Sequence, residues 1–239
     1  MYNGVMINGT VIEICIGNIQ DAVKAASYPI DRIELNSALE LGGLSPSLET
    51  IKSLKEMIEV PLCCMCRPRG GDFCYSEVEY RTMLKDAEGM LKAGADGIVF
   101  GFLNADRTID LERTKAMSDL IHSYHKEAVF HKAFDETEDL DRSVKELISC
   151  GIDRILTSGK AVYPDILKGC EILHDLHEKY ADRISLLPGG GVRIENIQDV
   201  LRISGCGQVH MTSKRQAEGG YLELDEVQLK EMLKRIETM

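Results

Sequence analysis

The sequence predicts one α/β domain over residues 1–239, a single (β/α)8 TIM-like barrel with a C-terminal helix. Three observations predict it. Apolar runs alternate with amphipathic segments along the whole chain, which implies parallel strands joined by right-handed crossovers. There are eight such runs, and 239 residues is a natural length for eight strand–helix units to close on themselves. The Gly-x-Gly-x-x-Gly turn of an open dinucleotide-binding sheet is missing after the first run.

The expected strands are residues 11–17, 32–36, 62–67, 97–103, 128–134, 154–157, 184–187 and 208–212. Each is a short apolar run bounded by Gly, Pro, Asn or Asp. Helical spacing recurs between them, in Ile51, Leu54, Met57 and Ile58, in Val144, Leu147 and Ile148, and in Ile197, Val200 and Leu201. Leu229, Met232, Leu233 and Ile236 give the final helix. The tetrapeptide Ile30-Asp31-Arg32-Ile33 returns as Ile152-Asp153-Arg154-Ile155, about half the chain later. That pairs strand 2 with strand 6, as half-barrel symmetry requires.

Alternation sorts the strand residues into two faces. With the isoleucines of strand 1 turned toward helices, Glu13 and Cys15 point inward. By the same rule Glu34 and Asn36, then Cys63, Met65 and Arg67, and finally His210 face the interior, while Cys64 and Cys66 face helices. Two inward carboxylates need partners, because an isolated buried charge is very costly. Arg67 and Arg69 are the expected counter-charges.

The strand ends carry the chemistry. Strand 3 runs into Arg67-Pro68-Arg69-Gly70-Gly71-Asp72, strand 5 into His131-Lys132-Ala133-Phe134-Asp135, and strand 6 into Thr157-Ser158-Gly159. Barrels place their active sites at these C-terminal ends. Glu13, Glu34, Arg67, Asp72, His131, Lys132, Asp135 and His210 are the expected acid–base and electrostatic residues, with histidine the usual proton carrier near neutral pH. An anion site is expected from Arg67, Arg69, Lys132, Thr157, Ser158 and the amides of Gly189, Gly190 and Gly191, since the strand 7–8 region is the usual phosphate grip of such barrels. For metals, Cys15, Cys63 and Cys66 are the candidate sulfur ligands, a soft set suited to Cu(I).

Composition bounds the partners. A net charge of −11, with no basic stripe, argues against nucleic acid and anionic membranes. There is no run long enough to span a membrane and no basic-then-apolar leader at the start of the sequence. Eight scattered cysteines in a chain of this size point to free thiols and a cytoplasmic location. The expected partner is a small anionic molecule or a copper ion.

The ordered motifs Ile12-Glu13-Ile14-Cys15, Asp31 through Leu35, Leu41 through Ser47, Arg67 through Phe73, Asp96 through Gly101, His131 through Asp135, Leu156 through Gly159 and Pro188 through Val192 resemble the copper homeostasis protein CutC family. The resemblance runs from about Val11 to Thr212. It implies a TIM-like barrel, a cytoplasmic homodimer or higher homo-oligomer, copper tolerance and Cu(I) binding through cysteine sulfur. The alternative left open by the residues is a lyase, isomerase or hydrolase acting on a small anionic or phosphorylated substrate. Two positions depart from the family pattern. Asn36 stands where copper-binding relatives often carry Cys, which halves the thiol pair of strands 1 and 2. Lys132 stands for the usual Arg, which keeps the charge without the two-pronged geometry.

Overall fold

A computed structural model describes residues 6–239. Its parallel strands are β1 (Val11–Ile16), β2 (Arg32–Leu35), β3 (Leu62–Met65), β4 (Gly97–Phe100), β5 (Glu127–Phe130), β6 (Arg154–Thr157), β7 (Ser185–Pro188) and β8 (Gln208–Met211). Seven helices occupy the crossovers. They are α1 (Ile19–Ala25), α2 (Leu48–Met57), α3 (Glu77–Lys92), α4 (Leu111–Ser123), α5 (Leu140–Ser149), α6 (Cys170–Tyr180) and α7 (Ile197–Ser204). The strands pair in sequence order from β1 to β7, and β8 returns to pair with β1. This is the expected (β/α)8 barrel. A short hairpin, β9 (Lys214–Gln216) and β10 (Leu222–Leu224), follows β8 and leads into α8 (Glu226–Glu237). The hairpin was not expected from the sequence.

Core placement follows the period-2 pattern. The isoleucines of β1 and β2 join Cys64, Cys66 and the buried helix faces in one large cluster between strands and helices. Cys63, Met65, Val99 and Val129 form a small separate cluster inside the barrel. α8 buries Leu229, Met232, Leu233 and Ile236, as its spacing predicts. Met57 differs: α2 ends there, and its side chain is 61% exposed.

Several strands are shorter than the apolar runs, and at β3 and β5 polar side chains end them. Arg67 leaves the β3 ladder, and its N–H donates to Ser45 Oγ. The expected strand 5 stops at Phe130. His131 caps a 3-10 turn over Lys132–Glu136, its Nδ1 accepting the Ala133 N–H at 3.2 Å.

The tetrapeptide repeat has a structural counterpart. Asp31 Oδ2 accepts the Ile12 N–H at 2.8 Å, and Asp153 Oδ2 accepts the Ala128 N–H at 2.8 Å. Asp96 does the same for Leu62 at 3.0 Å. An aspartate at the entry of an even strand thus clamps the start of the preceding odd strand three times over. At the fourth such junction Gln208 Nε2 donates to Leu186 O and bridges β7 to β8, the two ends of the hydrogen-bonded order. The arginines that follow the first and last of these aspartates repeat as well. Arg32 pairs with Glu13 on β1, and Arg154 pairs two-pronged with Glu127 on β5.

Candidate functional site

A cavity of about 160 Å³ opens at the C-terminal ends of the strands. That is roughly the volume of an engineered cavity that holds benzene, so it suits a ligand of a few to several heavy atoms. Cys15, Glu34, Asn36, Met65, Arg67 and His210 line it from β1, β2, β3 and β8. His131, Lys132, Leu156 and Phe73 complete the opposite wall.

Its floor is a charge relay. Glu13 is 2% exposed and lies between Arg32 Nε, at 2.7 Å from Oε2, and His210 Nδ1, at 2.8 Å from Oε1. Burial alone would favour the neutral acid, yet Arg32 and His210 outweigh it and hold the Glu13 carboxyl far below the usual range. Glu13 is therefore ionised and accepts the Nδ1–H of His210. That leaves His210 Nε2 facing Glu34 Oε2 at 3.8 Å. Burial opposes charge on His210, but Glu34 and Glu13 together raise its pKa above the ordinary value. Glu34 has no arginine partner. Burial raises its pKa, His210 opposes the rise and Glu13 adds to it. Asn36 Nδ2 donates to Glu34 Oε2 at 2.8 Å, while Glu34 Oε1 meets no hydrogen-bond donor in good geometry among the described residues, the Cys15 thiol lying beside the carboxyl. Gly43, at φ +86°, leaves room for the Asn36 side chain, since any Cβ there would collide with Asn36 Oδ1.

The upper wall differs from the sequence expectation at several residues. Arg67 is buried, but its Nη1 donates to Leu41 O and Gly43 O and its Nη2 to Gly71 O. It locks the loops after β2 and β3 and sits over the Phe73 ring, which leaves its buried Nε–H without a partner among the described residues. Arg69 points away from the cavity and is bound to Glu79 and Asp72. Asp72 is on the rim, its side chain 70% exposed. Neither arginine neutralises the buried carboxylates. Arg32 does that for Glu13, and its inward position was legible from its parity with Glu34 on β2. Asp135 accepts from Thr157 Oγ1, Ser158 N and Lys160 N. It is a loop clamp, and it occupies the Thr157 and Ser158 groups expected to hold an anion. Gly189 donates to Thr157 O, and Gly191 packs on the Pro164 backbone. Lys132, of the expected anion set, lies against Gly190 with Nζ 3.2 Å from Ser158 Oγ and 3.5 Å from Asp135 Oδ2, so its charge already has a partner.

His131 is not the proton carrier its type suggests. Burial, aided by the nearby Arg67 charge, lowers its pKa to about 3. Its Nδ1 accepts a backbone N–H, so Nε2 carries the hydrogen and has no acceptor. It is a neutral donor whose ring packs at a 52° tilt against Phe73, with centroids 4.6 Å apart.

The expected metal set does not assemble. Cys15 is at the cavity, and burial with Glu34 and Glu13 raises its thiol pKa well above the ordinary value. Cys63 lies deeper, its Sγ 3.9 Å from Glu127 Oε2. Cys66 is on the helix side of β3 and donates to Met83 O. Met65 is the other sulfur residue at the cavity. Cu(I) would find a single thiol there, beside the hard donors Glu34 and Asn36, which is a poor fit. All eight cysteines are free, and among the described residues no helix is long and apolar enough to cross a membrane.

The fold and the site define a (β/α)8-barrel protein with a carboxylate–imidazole–carboxylate relay beneath a small pocket at its C-terminal mouth. The CutC family profile matches residues 10–215, and the chain belongs to the CutC family. It is 42% identical over 207 residues to a CutC family protein of Treponema denticola, covering 87% of this chain and 82% of that one. A Mesorhizobium japonicum relative is 39% identical over 203 residues, covering 85% and 77%. Among solved structures, a Streptococcus agalactiae CutC named for copper homeostasis superposes with a TM-score of 0.78 at 31% identity, covering 84% of this chain and 97% of that one. A phosphoribosylanthranilate isomerase from Pyrococcus furiosus, at TM-score 0.59 and 14% identity, covers 96% of this chain and 100% of that one and shares the fold alone.

Proposed function

We propose that the protein is an enzyme acting on a small oxyanion-bearing molecule in this pocket, with Glu34, His210 and Cys15 at the reacting centre. The observation that carries the reading is the relay itself. Glu13 fixes the tautomer and orientation of His210, whose Nε2 then faces a Glu34 carboxyl that no arginine or lysine among the described residues pairs with. A base oriented by a third group beside a second titrating group is the arrangement proton transfer uses. Opposite it, His131 Nε2–H is a donor for an oxyanion, and the Lys132 ammonium, held by Asp135 at 3.5 Å, adds positive charge to that wall. Metabolites that the purified protein consumes from an extract of its source would identify the reaction. Glu34→Gln should lower that turnover by about 10²–10⁴ while leaving the melting curve cooperative. Unchanged turnover in Glu34→Gln would remove the reading.

A second reading takes its setting from the name of the Streptococcus agalactiae relative. It makes this chain a cytoplasmic copper homeostasis protein that carries Cu(I) on cysteine sulfur. The favouring observation is that Cys15 and Met65 line one cavity with His210. The eight free thiols fit a reducing compartment. Competition for Cu(I) against a chelating probe tests it. The expected result is weak binding that Cys15→Ser abolishes, because one thiol and a thioether replace the two thiolates a tight linear site needs. Tight binding that survives loss of Cys15, Cys63 and Cys66 would place copper elsewhere on the protein.

A further inference from the structure

We propose that Cys15 Sγ, Glu34 carboxylate and His210 Nε2 form a site for a borderline divalent cation of the Zn(II) class. The inference rests on reading this pocket as a reaction centre and names the ion that centre would hold; with the ion bound, Glu34 and His210 Nε2 would serve as its ligands rather than as the proton-transferring pair. The three ligand atoms lie within 4.8 Å of one another around one point of the cavity. Zinc binds sulfur at about 2.3 Å and nitrogen or oxygen at about 2.0–2.2 Å, so a modest closing of side chains brings all three into coordination range. One thiolate, one imidazole and one carboxylate make a donor set of mixed softness, which suits Zn(II) rather than Cu(I). Three protein ligands with space above them leave a fourth position open toward the pocket.

The surroundings carry the argument beyond the cluster. A metal-bound histidine almost always donates its other N–H to a carboxylate, and Glu13 already accepts the Nδ1–H of His210. Arg32 in turn holds Glu13, which keeps that carboxylate from ligating the ion itself. The ligating carboxylate is also supported, by Asn36 Nδ2 on Glu34 Oε2. Glu34 is 3% exposed, and its Oε1 has no hydrogen-bond partner in good geometry among the described residues. A buried carboxylate oxygen without a donor is a costly arrangement that a bound cation resolves. In this light Asn36 is no lost copper ligand but the residue that orients Glu34. A bound Zn(II) would also bring the pKa of a water in its open position to about 7.

The test is calorimetric titration of the full-length, chelator-treated protein with Zn²⁺ alone, with Cu(I) competition in parallel. The expected result is one Zn²⁺ per chain. Cys15→Ser and Glu34→Gln should each weaken it more than 100-fold, and Glu13→Gln, which touches no ion, by about 10–100-fold. Because Glu13→Gln disturbs the barrel floor, Cys63→Ser serves as a second control that should leave the affinity unchanged. Zn²⁺ affinity indifferent to Cys15→Ser and Glu34→Gln, or no saturable binding at all, overturns the proposal. The two readings fail separately. Chelator-insensitive turnover without Zn²⁺ binding leaves the acid–base enzyme and removes the ion. Stoichiometric Zn²⁺ binding without turnover of any metabolite leaves the ion site and removes the enzyme.

Discussion

Arg32→Met should cost the barrel about 3–5 kcal/mol of folding stability, the usual penalty for leaving one member of a buried ion pair uncompensated. Arg32 Nε lies 2.7 Å from Glu13 Oε2, and both residues are buried. No second guanidinium binds Glu13. Arg154 is engaged by Glu127, and Arg67 by loop carbonyls. Methionine keeps most of the arginine's volume, so the loss reports charge rather than a cavity. Removing the stranded carboxylate as well, in Arg32→Met/Glu13→Gln, should recover part of the stability. The pH profile gives an independent readout. The folded Glu13 carboxyl is depressed, so its contribution is present above the unfolded value near 4.3 and disappears as pH falls below it. In Arg32→Met that acid-limb loss should shrink. Urea unfolding at pH 7 and pH 4 measures both effects. A single variant costing less than about 1 kcal/mol would mean that the pair is screened as a surface bridge is.

His131 should make the fold acid-sensitive in a window that no carboxylate explains. Its folded pKa is lowered from 6.5 to about 3, so the unfolded chain takes the proton first. Stability from the neutral imidazole is present above pH 6.5 and is lost as pH falls toward 3. The full span corresponds to roughly 5 kcal/mol at 1.36 kcal/mol per unit, and the part between pH 6.5 and 5 to about 2 kcal/mol. His210 acts with the opposite sign. Its raised pKa contributes fully below 6.5 and is lost above it, so it is constant in this window. Glu34 is also raised and gains as pH falls, but it is common to wild type and variant. His131→Asn keeps an acceptor for the Ala133 N–H and does not titrate. The stability difference between wild type and His131→Asn should therefore change by about 2 kcal/mol from pH 6.5 to 5. Parallel curves would mean that the ring is hydrated and charges freely.

Much of the site was legible residue by residue. The inward turn of Glu13, Cys15, Glu34, Met65, Arg67 and His210, and the outward turn of Cys64 and Cys66, followed from alternation along strands whose isoleucine face must meet helices. Arg32 shares that parity, but the sequence does not set it apart as the counter-charge from Arg67 and Arg69 at the strand end. Asp135, Thr157 and Ser158 read as reacting and anion-binding groups, yet they satisfy one another. Their residue types are the same in either role, and only the path of the loop after β6 separates the two.

The sequence by itself determined the barrel, its strand order, the direction of each inward side chain and the strand ends that gather at one mouth. These rest on a period of two and a buried face, both local properties of the chain. The tertiary structure alone decided which charge meets which. The register that sets Glu13 beside both Arg32 and His210 comes from the stagger of strands around a nearly closed barrel. The neutrality of His131 and the unpaired oxygen of Glu34 come from how deeply the loops bury them. Stagger and burial sum contacts from residues far apart in the chain, so no short stretch of sequence contains them.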